Sequence, residues 1–203
     1  SALLEHGATV NHASQDGYTA LMFASSEGHA ACVSAMLEHG AAVNHANRDG
    51  GTALMIASQE GHAACVSALL EHGAAVNHAE QDGTTALMIA SEEGHATCVS
   101  ALLEHGAIVN HASQDGYTAL MFASSEGHAA CVSAMLEHGA AVNHANRDGG
   151  TALMIASQEG HAACVSALLE HGAAVNHAEQ DGTTALMIAS EEGHATCVSA
   201  LLE

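Results

Sequence analysis

The pair Asp-Gly occurs at 16, 49, 82, 115, 148 and 181, every 33 residues, and each occurrence opens the same phrase. In full it runs Asp-Gly-x-Thr-Ala-Leu-Met-x-Ala-Ser-x-Glu-Gly-His-x-x-Cys-Val-Ser-Ala-x-Leu-Glu-His-Gly-Ala-x-Val-Asn-His-Ala. A fixed period of this size constrains the fold more than any other property of the chain. It specifies an array of small units, each unable to bury its own apolar face, stacked so that neighbours bury it. A longer period lies on top. Residues 1–104 and 100–203 are the same text at an offset of 99, apart from Thr9, which corresponds to Ile108. The chain reads as a single array over 1–203. It comprises a partial repeat at 1–14, repeats at about 15–47, 48–80, 81–113, 114–146 and 147–179, and an incomplete last repeat at 180–203.

Within one unit the local signals are consistent with each other. Asp49-Gly50 marks a tight turn, with Gly free to take positive φ. Thr52 precedes Ala53-Leu54-Met55-Ile56-Ala57 and is a good N-cap, while Leu54, Ala57 and Ser58 fall on one helical face. Gly61 ends this helix as a C′ residue. His62 opens the turn into a second helix, about Ala63 to Glu71, whose Cys65, Val66, Leu69 and Leu70 form an apolar stripe. Gly73 ends it, and Ala74-Ala75-Val76-Asn77-His78 reads as an extended arm leading to the next Asp-Gly turn. Helices of two or three turns are marginal alone, so neighbours on both sides must hold them. Ala and Ser at inner positions let backbones approach closely and lose little side-chain entropy.

The residues Gly-x-Thr-Ala-Leu-Met-x-Ala-Ser-x-x-Gly-His followed by Val-x-x-Leu-Leu-x-x-Gly-Ala-x-Val-Asn, as in Gly50 to Asn77, resemble the ankyrin repeat, and the resemblance covers the whole chain. It implies an all-α solenoid of stacked helix-turn-helix units with projecting β-turn fingers. The family usually carries Pro-Leu-His after the Thr. Here Ala53-Leu54-Met55 stands in that place, which removes a Pro suited to the first helical position and the family's Thr–His hydrogen bond, a loss expected to loosen each turn.

Charge limits the partners. The formal net charge is −21, there is no Lys, and the only cations besides His are Arg48 and Arg147. Nucleic acid requires a basic surface and anionic membranes attract one, so both are expected to be excluded as partners. No run reaches the ~18 apolar residues of a membrane span. The chain does not start with Met and reads as an excerpt.

Each unit supplies one Cys, from Cys32 to Cys197, and three His. Equivalent residues of stacked helical layers lie roughly 8–10 Å apart, beyond the reach of a disulfide. Cys65 stands in the apolar stripe, where a free thiol behaves as a small hydrophobe, so its spacing from His62 reads as core rather than as a nucleophile–base pair. Glu92-Glu93 and Glu191-Glu192 lack an opposing carboxylate pair and read as a solvated face. No phosphate loop, nucleophile elbow or calcium loop occurs. No enzyme, cofactor or metal is expected, although a mixed zinc site from His39, His45 or a neighbouring unit is an alternative. The Gly-His histidine reads as a structural turn residue. The others, exemplified by His39, His45, His72 and His78, form ladders with one rung per unit and are candidates for a response to pH. Free His titrates near about 6.5, and protonating all 18 would bring the charge from −21 to about −3.

Resemblance places the partner-contact surface on the fingers and the first-helix face: Gln15, Asp16, Tyr18, Ser26 and Glu27; then Arg48, Asp49, Gly51, Gln59 and Glu60; then Gln81, Asp82, Thr84, Glu92 and Glu93. Of these and their copies, only Tyr18 and Tyr117 resemble interface hot spots. The surface is copied after 99 residues, which suits a periodic partner or no partner beyond more of the same chain. Leu3-Leu4 and Leu201-Leu202 belong to stripes that require neighbours, and neither end carries the polar cap that a soluble array needs. A head-to-tail contact that does not close generates a filament. The leading expectation is a non-enzymatic structural protein, a segment of a long array stacked head-to-tail into a fibre, whose main partner is further copies of itself. The alternative is a protein-binding module, natural or an engineered consensus scaffold.

Overall fold

The computed structural model describes residues 9–203; Leu3 and Leu4 lie outside the described residues. Among the described residues twelve helices follow as six pairs: α1 (Ala20–Ser26) with α2 (Ala30–Glu38), α3 (Ala53–Gln59) with α4 (Ala63–Glu71), α5 (Ala86–Glu92) with α6 (Ala96–Glu104), α7 (Ala119–Ser125) with α8 (Ala129–Glu137), α9 (Ala152–Gln158) with α10 (Ala162–Glu170), and α11 (Ala185–Glu191) with α12 (Ala195–Leu202). The first helices pack in one row, α1 on α3 on α5 and onward, and the second helices in a parallel row, α2 on α4 on α6. The core is therefore a continuous slab between the rows rather than a central ball.

Each first helix begins at a Thr, buried in all but the last, where Thr184 is half-buried. At Thr19, Thr52, Thr85 and Thr151 the hydroxyl accepts the backbone N–H three residues on, at 3.4 Å. The Met of that N–H is buried in the interior units, Met55, Met88, Met121 and Met154 among them. An apolar side chain thus fills the space where the family pattern has a His. Leu54, Ala57 and Ser58 are buried on one face as their spacing requires, and so are Cys65, Val66, Leu69 and Leu70 of α4. Gly61 and Gly73 follow their helices at φ +74 and +82, conformations open to Gly and strained for L side chains.

The arm departs from the sequence reading. It is not extended throughout, because the His78 N–H donates to the Ala75 carbonyl at 3.0 Å and folds Val76-Asn77 into a turn. The turn aims Asn77 at the next unit. Its Nδ2 donates to Gly106 O at 3.1 Å and its Oδ1 accepts from Ile108 N at 2.8 Å. Asn44, Asn110 and Asn143 repeat the pair of bonds. Beyond each arm, an isolated antiparallel bridge such as Ala46 with Thr52 closes a finger, in which Gly50 N–H donates to Asn47 O. Among the described residues no helix is long and apolar enough to cross a membrane.

Candidate functional site: the finger row and the histidine ladders

The three histidines of a unit hold three different joints, and each presents a ring N–H to a backbone carbonyl, which fixes the tautomer of the neutral ring. The turn histidine reaches back one unit: His62 Nε2 donates to Ser26 O at 3.0 Å, His95 to Gln59 O at 2.9 Å and His161 to Ser125 O at 2.9 Å. Its ring lies against the preceding unit's turn glycine, where a Cβ on Gly61 would stand 2.5 Å from His95 Nδ1. The arm histidine ties one finger to the next, His45 Nε2 to Gly17 O at 3.0 Å and His78 Nε2 to Gly50 O at 2.9 Å. The third histidine caps the second helix. His39 Nδ1 donates to Ala35 O at 2.7 Å and His72 Nδ1 to Ala68 O at 2.8 Å, satisfying carbonyls that a helix end leaves open. Among the described residues no three His, Cys, Asp or Glu side chains converge where a metal ion could sit.

Of the expected contact residues, Gln15, Asp16, Glu27, Arg48, Asp49, Gln59, Glu60, Gln81, Asp82, Glu92 and Glu93 are exposed, and Tyr18, Ser26, Thr84 and Tyr117 are half-buried. Gly51 does not belong with them. It is buried, its N–H donating to Asn47 Oδ1 at 2.8 Å, and it packs beneath Asn47 and Glu80, where a Cβ would stand 3.3 Å from Asn47 Nδ2 and 3.4 Å from Glu80 Oε1. Glu80 itself was missed. It lies with Arg48, Asp49, Gln81 and Asp82 around a finger-to-finger groove of about 280 Å³. Partial burial pushes its carboxyl up, and repulsion from Asp82 and Asp49 adds to this against a smaller opposing effect of His78. Asp82 moves the other way, because the Thr84 N–H and hydroxyl hold its ionised form. The signal for Glu80 was the change from Asn47 to Glu at the same place in the repeat. The signal for the Asn bridges is one Asn in every arm.

The two arginines reach the preceding finger, Arg48 Nη1 to Asp16 Oδ1 at 3.5 Å and Arg147 Nη1 to Asp115 Oδ1 at 3.7 Å, surface pairs worth about 0–1 kcal/mol each. Tyr117 stacks at a tilt on Phe122, centroids 5.7 Å apart, as Tyr18 does on Phe23. All six thiols are free. Cys32 is exposed and the other five are buried, with Cys98, Cys131 and Cys164 pushed up to about 11 by desolvation. At that value they are thiols rather than thiolates, as core residues and not nucleophiles should be.

Three successive stretches of the chain, residues 1–80, 74–146 and 139–203, match the family description "Ankyrin repeats (3 copies)". Among solved structures, the crystal structure of the human ASB11 ankyrin repeat domain superposes with a TM-score of 0.89 at 31% identity, covering 99% of this chain and 89% of that one. No curated protein sequence matches. Repeating helix pairs, Gly-His turns and bridged fingers agree with these likenesses, and the chain belongs to the ankyrin-repeat family, whose domains generally act as protein-binding modules.

Proposed function

We propose that the chain is a non-enzymatic structural element, a run of ankyrin units that stacks end to end with further units of the same kind into a fibre. The observation that carries this reading is the identity of the layers, since the residues buried at one joint recur unchanged 99 residues on. Met187 is 59% and Leu202 68% exposed, whereas their counterparts 99 residues earlier, Met88 and Leu103, are 1% and 8% exposed beneath the following unit. Ser190 is exposed where Ser91 is buried with its hydroxyl donating to Met135 Sδ of that following unit at 3.6 Å. Leu201, by contrast, is 6% exposed and already packed, so of the terminal Leu pair only Leu202 needs a cover. A further unit of this sequence therefore fits over Met187 and Leu202 as the existing one fits over Met88 and Leu103. Burying a Met or Leu side chain contributes about 1.5–3 kcal/mol.

Light scattering and electron microscopy of the 203-residue chain test this. Growth into linear particles with rising concentration is expected, and the Met187→Asp, Leu202→Asp double variant should remain monomeric. A wild-type chain that stays monomeric at about 100 μM, with α11 and α12 protected from hydrogen exchange, overturns the reading.

A further inference from the structure

We propose that the groove between the third and fourth fingers binds a lysine or arginine side chain of a basic partner segment. Its wall is the tilted pair Tyr117 and Phe122, and Asp82, Thr84, Ser113 and Asp115 complete a groove of about 250 Å³.

The fold does not require these rings. At the place of Tyr117 other units carry Gly51, Thr84, Gly150 and Thr183, and at the place of Phe122 they carry Ile56, Ile89, Ile155 and Ile188. Those units form the same seven-residue helix behind the same Thr cap. The earlier copy of the ring, Phe23, stands 57% exposed. Aromatic rings left half-buried at a surface where Gly, Thr and Ile serve the fold in other units point to a ligand.

The chemistry of the groove selects a cation. Aromatic faces attract ammonium and guanidinium groups. Asp115 already shares its charge with Arg147 at 3.7 Å. Asp82 has no such partner, because the finger that follows it carries Gln114, whose Nε2 donates to Gln81 O at 2.6 Å instead. The Asp82 carboxylate accepts the Thr84 N–H at 2.9 Å, which orients it at the groove. An oriented carboxylate beside an aromatic wall thus lacks a cation of its own. The net charge of −21 adds a long-range field that draws cations in.

The occupant is not a second copy of this chain. The chain has no Lys, its two Arg each lie beside an Asp of the preceding finger, and two such acidic arrays repel. A basic segment of another protein fits both the local and the overall charge. The ring pair recurs after 99 residues, three layers of roughly 8–10 Å, so a longer array would offer one groove about every 24–30 Å. The groove stands whether or not the ends stack.

Fluorescence anisotropy at low salt tests the assignment, with a fluorescein-labelled nonapeptide of alternating Gly and Lys as probe and Gly-Glu and Gly-Gln peptides as controls. The Lys peptide should bind and the controls should not. A variant carrying Tyr18→Thr, Phe23→Ile, Tyr117→Thr and Phe122→Ile has only residues that other units already use, and circular dichroism checks that it folds. It should bind about five- to tenfold more weakly, as cation–π contacts of this size imply. Asp82→Asn should weaken binding by a similar factor. Asp148→Asn, which removes the same charge two fingers away, should change it less than about twofold. Three binding results overturn the proposal: no binding of the Lys peptide, full affinity in the ring variant, or equal losses for Asp82→Asn and Asp148→Asn. Wild-type self-association abolished both by Arg48→Gln and by the ring variant would assign the groove to a second copy, and also overturns it.

Discussion

Glu80, like Glu92, is a carboxylate that the array holds at a disadvantage. Burial and the Asp82 and Asp49 charges raise its pKa, so the folded chain binds its proton more tightly than the unfolded chain does. Such a group contributes stability below its ordinary value of 4.5 and loses that contribution as pH rises through the folded-state value. At neutral pH the ionised side chain is a net cost. Glu80→Gln should therefore stabilise the chain at pH 7 by a few tenths of a kcal/mol, a size set by its partial exposure, and the advantage should vanish in acid. Urea midpoints of both chains at several pH values check this. Asp82 has the opposite sign, since its Thr84 contacts contribute above 3.8 and are lost as pH falls through its lowered pKa. Ser25 and Ser58 have no partner for their buried hydroxyls. Their copies Ser124 and Ser157 donate to the carbonyl four residues back at 2.7 Å, so one rotamer change satisfies them.

Helices of seven to nine residues persist here because neighbouring units hold them. The Gly-His turn shows how. Gly61 takes positive φ to end α3, and the His95 ring of the next unit packs on it while donating to Gln59 O. Both residues belong to one joint, so their substitutions should not add. Gly61→Ala meets two obstacles, the left-handed backbone and the ring. A loss of at least about 1 kcal/mol is expected from the backbone alone. His95→Ala should cost about 1 kcal/mol through its lost bond. In the double variant the steric part disappears and the backbone part stays, so the combined loss should fall short of the sum. Additive urea midpoints would show that the ring does not press on the turn. The pattern Gly-His was legible as a turn, but its reach into the preceding unit was not, because nothing local says which carbonyl a ring 36 residues away will meet.

The array as a whole has no central core, so stability should fall from the middle toward the ends as in any nearest-neighbour stack. The chain carries its own probes, one thiol per unit in near-identical settings. In a chain of these 203 residues Cys32, which is exposed, should react with a thiol reagent at once. Cys197 should follow as its unit opens, with Cys131 among the slowest in moderate urea, since a buried thiol is protected until its unit opens. Mass spectrometry of quenched aliquots reads the order. Equal rates for all five buried thiols would mean that the units open together rather than from the ends.

Local chemistry alone set the number of units, the Thr caps, the turn glycines, the helix faces and the family. Each depends on residues within one turn or one period of one another, where covalent geometry limits the choices. Tertiary structure decided what each polar side chain does once another layer lies on it. It turned the arm to aim Asn77 across the joint, buried Gly51 beneath Glu80, left Asp82 without a cation and set Tyr117 on Phe122 as a surface wall. These are contacts between layers, and a repeat that states the same residues in every layer cannot say which layer's carbonyl, charge or ring will come within 3 Å until the stacking offset between units is known.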